Sequence, residues 1–219
     1  MAAPLLADLP GEELQRLQAA ARRRTFGRNE VVFHQGDPAD SMHMIQKGRF
    51  AVRVRTPIGD VATIAILGAG DAFGELALIG EEHDRSATVL SLEPSETLSI
   101  SRGDLDRVRH EQPQVNELLV RLLAARLRRT NALLAEALYV TADRRVVHRL
   151  RELAQLYANP DGETRIPLTQ EEIATLAGTS RATVNRVLRA EERSGALELT
   201  RGHTIIRDVD RLGKAARSR

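Results

Sequence analysis

From Thr25 to Ile100 apolar side chains recur in short runs, VVFH, MHMI, FAVRVR, VATIAIL, SATVL and TLSI, rich in branched residues and often alternating with polar ones. A period of two puts such residues on one face of an extended strand. The runs are cut by QGDPAD, QKG, PIGD and GAGD, where Gly, Pro and Asp supply turns. The pattern predicts a β-rich sandwich or roll.

At Pro113 the period changes. Val120, Leu123, Leu127, Thr130, Leu134 and Ala137 are spaced alternately by three and four, which is a heptad stripe on a helix. A second stripe through Leu118, Leu119 and Leu122 can pack that helix on its own domain, leaving the first for homodimerisation. Thr130 interrupts the seam with a polar side chain, and Asn131 adjoins it. A polar seam residue fixes register or meets a ligand.

After Asp143 a second helical block, RRVVHRLRELAQLYA, runs to the turn NPDG. In the following LTQEEIATLAGTSRATVNRVLRAEERSGALE, Thr169 and Glu172 form a capping box, Ile173 and Leu176 supply a buried side, and Gly178 permits a turn. Ser180 then caps another helix, whose Val184, Val187 and Leu188 face inward while Arg181 and Arg186 project outward. This is the helix-turn-helix plan. LELTRGHTIIRD, with Arg201 and Gly202 at a hairpin tip, adds a β-ribbon like a wing. Three parts are therefore expected: a β-roll over residues 1–112, a dimerisation helix over 113–140 and a winged helix-turn-helix over 141–219.

Composition narrows the function classes. A chain of 219 residues with 42% apolar and 28% charged residues makes one or two globular units. With no cysteine there is no disulfide, thiolate nucleophile or iron–sulfur cluster. The start, MAAPLLADLPGEELQRL, lacks the features of a secretory leader, and no charge-free apolar run approaches about 18 residues, so a cytoplasmic protein without a membrane partner is expected. The net charge of +2 conceals two unlike halves. Residues 1–112 hold 13 Lys plus Arg against 17 Asp plus Glu, whereas residues 113–219 hold 19 against 13. The basic half suits a polyanion such as nucleic acid. The histidines lack close helical metal spacing, and neither a metal site nor a catalytic residue is predicted.

FGELALIGEEHDRSATV, residues 73–89, carries the remaining chemistry. Three readings are open. GAGDAFG, residues 68–74, mimics a dinucleotide-binding glycine pattern, which requires a strand and a long helix in a βαβ unit and would make a nicotinamide-dependent enzyme. Glu75 and Arg85 could instead form a surface ion pair, contributing about 0 to 1 kcal/mol. In the third reading, a helical turn opening at Gly74 offers backbone NH groups to an anion, Arg85 and the Ser86 hydroxyl close on it, and Glu75 accepts from a sugar hydroxyl. An anion beside a hydroxyl describes a nucleotide.

FGELALIGEEHDRSA resembles the phosphate-binding cassette of the CRP/FNR family of bacterial transcription regulators, closest to its cyclic AMP-binding branch. The resemblance runs from about Leu6 to Leu212. LRRTNALLAEALYVTADRR is similar to the family's dimer helix, and NPDGETRIPLTQEEIATLAGTSRATVNRVL to its hinge-proximal loop and helix-turn-helix. It implies that Glu75 binds the ribose 2′-hydroxyl, that Arg85 and Ser86 bind the cyclic phosphate, and that Gly74 and Leu76 contribute backbone. Thr130 would meet the adenine amino group. Asn131 stands where enteric members carry a serine reaching across the dimer, and Ala87 resembles cyclic AMP sites more than cyclic GMP sites.

The resemblance also assigns Thr169, Gln170, Ser180, Arg181, Ala182, Thr183 and Arg186 to the DNA interface. Here the chain departs from the family's SRETV, because Ala182 replaces the glutamate that accepts from cytosine. Arg181 and Arg186 remain suited to guanine O6 and N7. The implied protein is α+β and not an enzyme: a double-stranded, jelly-roll-like β-roll that takes cyclic AMP as allosteric ligand, with no cofactor, joined by a dimer helix to a winged helix-turn-helix. Its partners would be a second copy, pseudo-palindromic double-stranded DNA with half-sites about 34 Å apart, and RNA polymerase, met near Tyr157 to Glu163. A regulator of the same architecture with another effector, or with no effector dependence, is the alternative.

Overall fold

In the computed structural model, which describes residues 21–79, 84–159 and 162–214, the alternating runs become eight strands. These are β1 (Arg22–Phe26), β2 (Val31–Phe33), β3 (Ser41–Lys47), β4 (Phe50–Arg55), β5 (Val61–Leu67), β6 (Ala72–Phe73), β7 (Thr88–Ser91) and β8 (Ser95–Ser101). They pair antiparallel in two four-stranded sheets, ordered β1-β8-β3-β6 and β2-β7-β4-β5. Strands distant in sequence lie side by side, which is the crossing order of a jelly-roll-like β-roll. The start of the chain, read above for a leader, lies outside the described residues.

Between the sheets Ile45, Phe50, Val52, Ala65, Phe73, Ala87 and Val89 form one core. A second core lies on the outer face of the β3 sheet, where Met42, Met44 and Ile100 pack against α2 (Arg102–Glu111) and the first half of α3 (Gln114–Tyr139) through Leu105, Val108, Val115, Leu119 and Leu122. That arrangement explains why β3 reads as the continuous run MHMI: it is covered on both faces. Gly48, in the β3–β4 turn at φ +84°, is required there, since a Cβ would come within 2.0 Å of Ser95 Oγ.

GAGDAFG falls between β5 and β6, and β6 pairs antiparallel with β3. The segment that follows is α1 (Leu76–Ile79), a single helical turn. Among the described residues there is no strand–helix–parallel strand unit to hold a dinucleotide, and the antiparallel pairing of β6 removes the nicotinamide reading.

The chain divides into two compact units between Arg129 and Thr130, within α3. In the second unit α4 (Ala142–Leu156), α5 (Gln170–Ala177) and α6 (Arg181–Arg193) accompany a three-stranded antiparallel sheet, ordered β10-β11-β9, of β9 (Thr164–Ile166), β10 (Leu197–Thr200) and β11 (His203–Ile206). Its core includes Val146, Leu150, Leu153, Ile166, Ile173, Val184 and Leu188. Both halves of the capping box form, with the Thr169 hydroxyl accepting from Glu172 N and the Glu172 carboxylate accepting from Thr169 N. Gly178 follows α5 in the left-handed region at φ 59°. Arg145, near the start of α4, donates to Val140 O at 2.8 Å, Ala177 O at 3.0 Å and Gly178 O at 2.9 Å. Arg149 is buried on α4 and pairs with Glu136 of α3 and, at 2.6 Å, with Glu152.

Along α3 the two stripes differ in burial at some positions and not at others, Leu118 of the one and Leu123 of the other both being half-buried. Leu119 and Leu122 are buried, whereas Val120, Leu127 and Leu134 are 64%, 62% and 57% exposed. Among the described residues no helix is long and apolar enough to cross a membrane.

Candidate functional site

The first site is built around the end of β6. Gly74 adopts φ +85°, and a Cβ there would lie 2.8 Å from Arg85 Nη1 and 3.1 Å from Ser41 O. Only glycine lets the guanidinium lie so close to this strand end. Glu75 follows, and its carbonyl accepts from Leu78 N and Ile79 N to close α1. Its carboxylate has no exposed surface.

Arg85 is aligned by its own backbone, its N donating to Asp37 O and its O accepting from Gly36 N, both at 2.8 Å. Its side chain, only 3% exposed, folds toward β3: Nη1 donates to Ser41 O at 2.5 Å and Gly74 O at 3.2 Å, and Nη2 reaches Ser41 Oγ at 3.2 Å and Asp40 Oδ1 at 3.3 Å. The guanidinium carbon stands 4.0 Å from the centroid of the Phe33 ring, a cation–π contact. Burial lowers the Arg85 pKa, opposed chiefly by the charge of Asp40.

Glu75 and Arg85 are not each other's ion-pair partners. The buried carboxylate is met by Arg126 of α3, whose Nε lies 2.7 Å from Oε1, an ion pair too bent for a hydrogen bond, while Nη2 donates to Oε2 at 3.2 Å and to Ala72 O at 2.5 Å. Burial pushes the Glu75 pKa up and Arg126 holds it back. Sequence reading missed Arg126. It belongs to neither helix stripe and lies 51 residues from Glu75.

These groups line one cavity. Gly74, Glu75, Leu76, Arg85, Ser86 and Ala87 meet there, backed by Phe33, Val52, Phe73 and Val89 and closed by Arg126. The free space is about 30 Å³, roughly the room of one water molecule. The other two predicted ligand residues, Thr130 and Asn131, are exposed on α3 in the second unit. Behind the cavity His43 is buried, stacked on Phe73 at 5.0 Å and bonded through Nδ1 to Thr97 Oγ1 at 3.0 Å. Its pKa falls to about 4, first because of burial and then because of the charges of Arg85 and Arg24.

The second site is the outer face of α5 and α6. Ser180 Oγ accepts from Thr183 N at 3.2 Å to start α6, and Gln170 Oε1 accepts from Asn185 Nδ2 at 3.1 Å, joining the two helices. Thr169, Ser180, Arg181, Ala182 and Arg186 are exposed, and Gln170 and Thr183 are half-buried. Arg201 and Gly202 form the β10–β11 turn. One relationship escaped sequence reading: Arg186 is held by Asp143 of α4, with Nη1–Oδ2 and Nη2–Oδ1 both at 2.6 Å.

Comparison with known proteins divides the chain in the same sense. The cyclic nucleotide-binding domain family matches residues 23–112, and the Crp-like helix-turn-helix domain family matches residues 144–215. The chain is 34% identical to the CRP-like cAMP-activated global transcriptional regulator of Mycobacterium tuberculosis, over 88% of this chain and 87% of that protein. It is 33% identical to the cyclic AMP receptor protein of Thermus thermophilus, over 97% and 96%. Among solved structures, the c-di-GMP-responsive global regulator CLP of Xanthomonas campestris shares the fold with a TM-score of 0.76 at 22% identity, over 90% of this chain and 99% of that one.

Proposed function

Because this chain belongs to the CRP family of transcription regulators, with a cyclic nucleotide-binding domain and a helix-turn-helix domain, we propose that it is a cytoplasmic, homodimeric, cyclic AMP-responsive regulator of pseudo-palindromic DNA. The observation that carries the effector assignment is the convergence of buried Glu75, buried Arg85, Ser86 and Ala87 on one cavity in the β-roll. A buried guanidinium suits a cyclic phosphate and a buried carboxylate suits a ribose hydroxyl. Gly74 and Leu76 add backbone groups, and Thr130 and Asn131 meet the adenine at the dimer seam. The small adjacent side chain of Ala87 favours adenine over guanine nucleotides.

Glu75 and Arg85 are already engaged by Arg126, Ser41 and Asp40, so a nucleotide enters as those contacts yield. Arg126 must shift from Glu75, and Arg85 must turn from Ser41 and Asp40 toward the phosphate. Ligand binding therefore exchanges internal partners for ligand partners, and that differential contact can shift the protein between two arrangements of α3. The exposed stripe of Val120, Leu127 and Leu134 is assigned to the second copy. Two copies then present two α6 helices to successive major grooves, with half-sites about 34 Å apart. Thr169, Gln170, Ser180 and Thr183 hold the DNA backbone, and Arg181 and Arg186 read bases. The segment from Tyr157 to Glu163, of which residues 160–161 lie outside the described residues, is assigned to RNA polymerase.

The test is calorimetric titration of the full-length protein with cyclic AMP, cyclic GMP and cyclic di-GMP, followed by DNA binding with and without each. Cyclic AMP should bind and alter DNA affinity. Absence of either effect overturns the effector assignment. A response to cyclic di-GMP alone, or DNA binding that no nucleotide alters, would establish the alternative, a regulator of the same architecture with another effector or with no effector dependence.

A further inference from the structure

We infer that Asp143 restrains the reading of DNA by Arg186: its carboxylate occupies, in the free protein, the pair of donors that a guanine would take. The inference rests on the proposal that α6 is the DNA-reading helix.

Arg186 is bound end-on. Both terminal nitrogens, Nη1 and Nη2, donate to the two Asp143 oxygens at 2.6 Å across a separation of 43 residues. Bidentate recognition of guanine O6 and N7 uses the same tip of the side chain when it extends into a major groove. The tip can serve one partner at a time, so a specific contact requires the intramolecular pair to open.

The pair is held in place from behind. Asp143 lies in the first turn of α4, and two residues further Arg145 ties that turn to Ala177 O and Gly178 O, immediately before α6. The carboxylate is therefore delivered to Arg186 by a fixed element rather than by a free loop. Arg181, the other candidate reader, makes no ion pair among the described residues. The two arginines are thus unequal before DNA arrives, one ready and one engaged. Opening an exposed pair is inexpensive, which makes this a restraint and not a block.

The experiment uses the full-length protein and a 30-base-pair duplex enriched by it from a random pool. Affinity is measured for wild type, Asp143→Asn, Asp143→Ser, Arg186→Ala and the double variant Asp143→Asn with Arg186→Ala. Both Asp143 variants should bind about two- to fivefold more tightly than wild type, the span expected for release of an exposed ion pair. In the Arg186→Ala background Asp143→Asn should have little effect. Weaker binding by the Asp143 variants would mean that the carboxylate props Arg186 toward the base, and it would overturn the inference. So would unchanged binding, or equal tightening with and without Arg186, since the latter is only loss of a charge near phosphates. In each of those outcomes the DNA-reading role of α6 stands. Failure of the wild type to enrich any duplex would defeat that role and the inference with it.

Discussion

Arg126 Nε lies 2.7 Å from Oε1 of Glu75, and the carboxylate it meets is closed to solvent. A buried charge that loses its partner is far more costly than the pair is stabilising. Arg126→Ala should therefore lower unfolding free energy by about 3 kcal/mol, the low end for breaking a buried pair because Arg126 itself is 27% exposed. Adding Glu75→Gln should recover part of the loss. The sign with pH follows from burial, which raises the Glu75 pKa in the fold. Ionisation then opposes folding, so the defect should deepen as pH rises above the unfolded value of 4.5. Denaturant titrations of the two variants at pH 5 and pH 8 measure both effects.

Arg85 offers the only buried guanidinium in the β-roll cavity among residues lining it beside Ser86. Arg85→Leu should weaken cyclic AMP binding by about 1.5 to 3 kcal/mol, the range for hydrogen bonds to charged groups. Arg85→Lys should recover some of it, keeping charge but not the fork. Calorimetry showing equal affinity for all three proteins would leave Arg85 a purely structural role with Ser41 and Gly74.

His43 supplies an acid-side limit to stability. Its pKa is about 4 in the fold against 6.5 ordinarily, so between those values the unfolded chain binds the additional proton. Arg85 and Arg24 reinforce burial and Asp40 opposes it. Stability from this group is complete above pH 6.5 and is lost toward pH 4, by about 3 kcal/mol over the whole interval. His43→Gln should flatten the stability profile across that window. An unchanged slope would show that other groups govern the acid transition.

Leu127 is 62% exposed on the outward stripe of α3. Leu127→Lys should weaken self-association by placing a charge in each half of an apolar seam. Sedimentation velocity over a concentration series should show a shift toward monomer, whereas an unaltered dimer would assign the interface elsewhere.

Ala182 is exposed beside Arg181 on α6. Arg181→Ala should cost about 1 to 3 kcal/mol on the preferred duplex and relax one guanine position. Ala182→Glu should penalise sequences lacking a suitably placed cytosine by a similar amount, about 1 to 3 kcal/mol. Competition binding that ranks sequences identically for these variants and wild type would remove α6 from base reading.

What was legible in the sequence is what is local. The capping box of Thr169 and Glu172 spans three residues, the exposed positions Val120, Leu127 and Leu134 of α3 repeat every seven, and Gly178 marks its turn by itself, so chain spacing alone specifies each. The pairs Glu75–Arg126 and Arg186–Asp143 join residues 51 and 43 apart, and no period links them. Charge alone was misleading at Glu75 and Arg85. Both are buried in one cavity, yet each is matched by a partner from another element, because antiparallel crossing brings β3 and α3 to the same strand end.

Arg145 touches three carbonyls with one guanidinium, those of Val140, Ala177 and Gly178. The tail of α3 and the turn ahead of α6 are therefore fastened to a common rivet. A joint so fastened has little slack, and displacement of the α3 tail is transmitted as a pull on that turn instead of being dissipated in a loose linker. The stiffness of that joint sets how much of a small movement of the α3 tail arrives at α6.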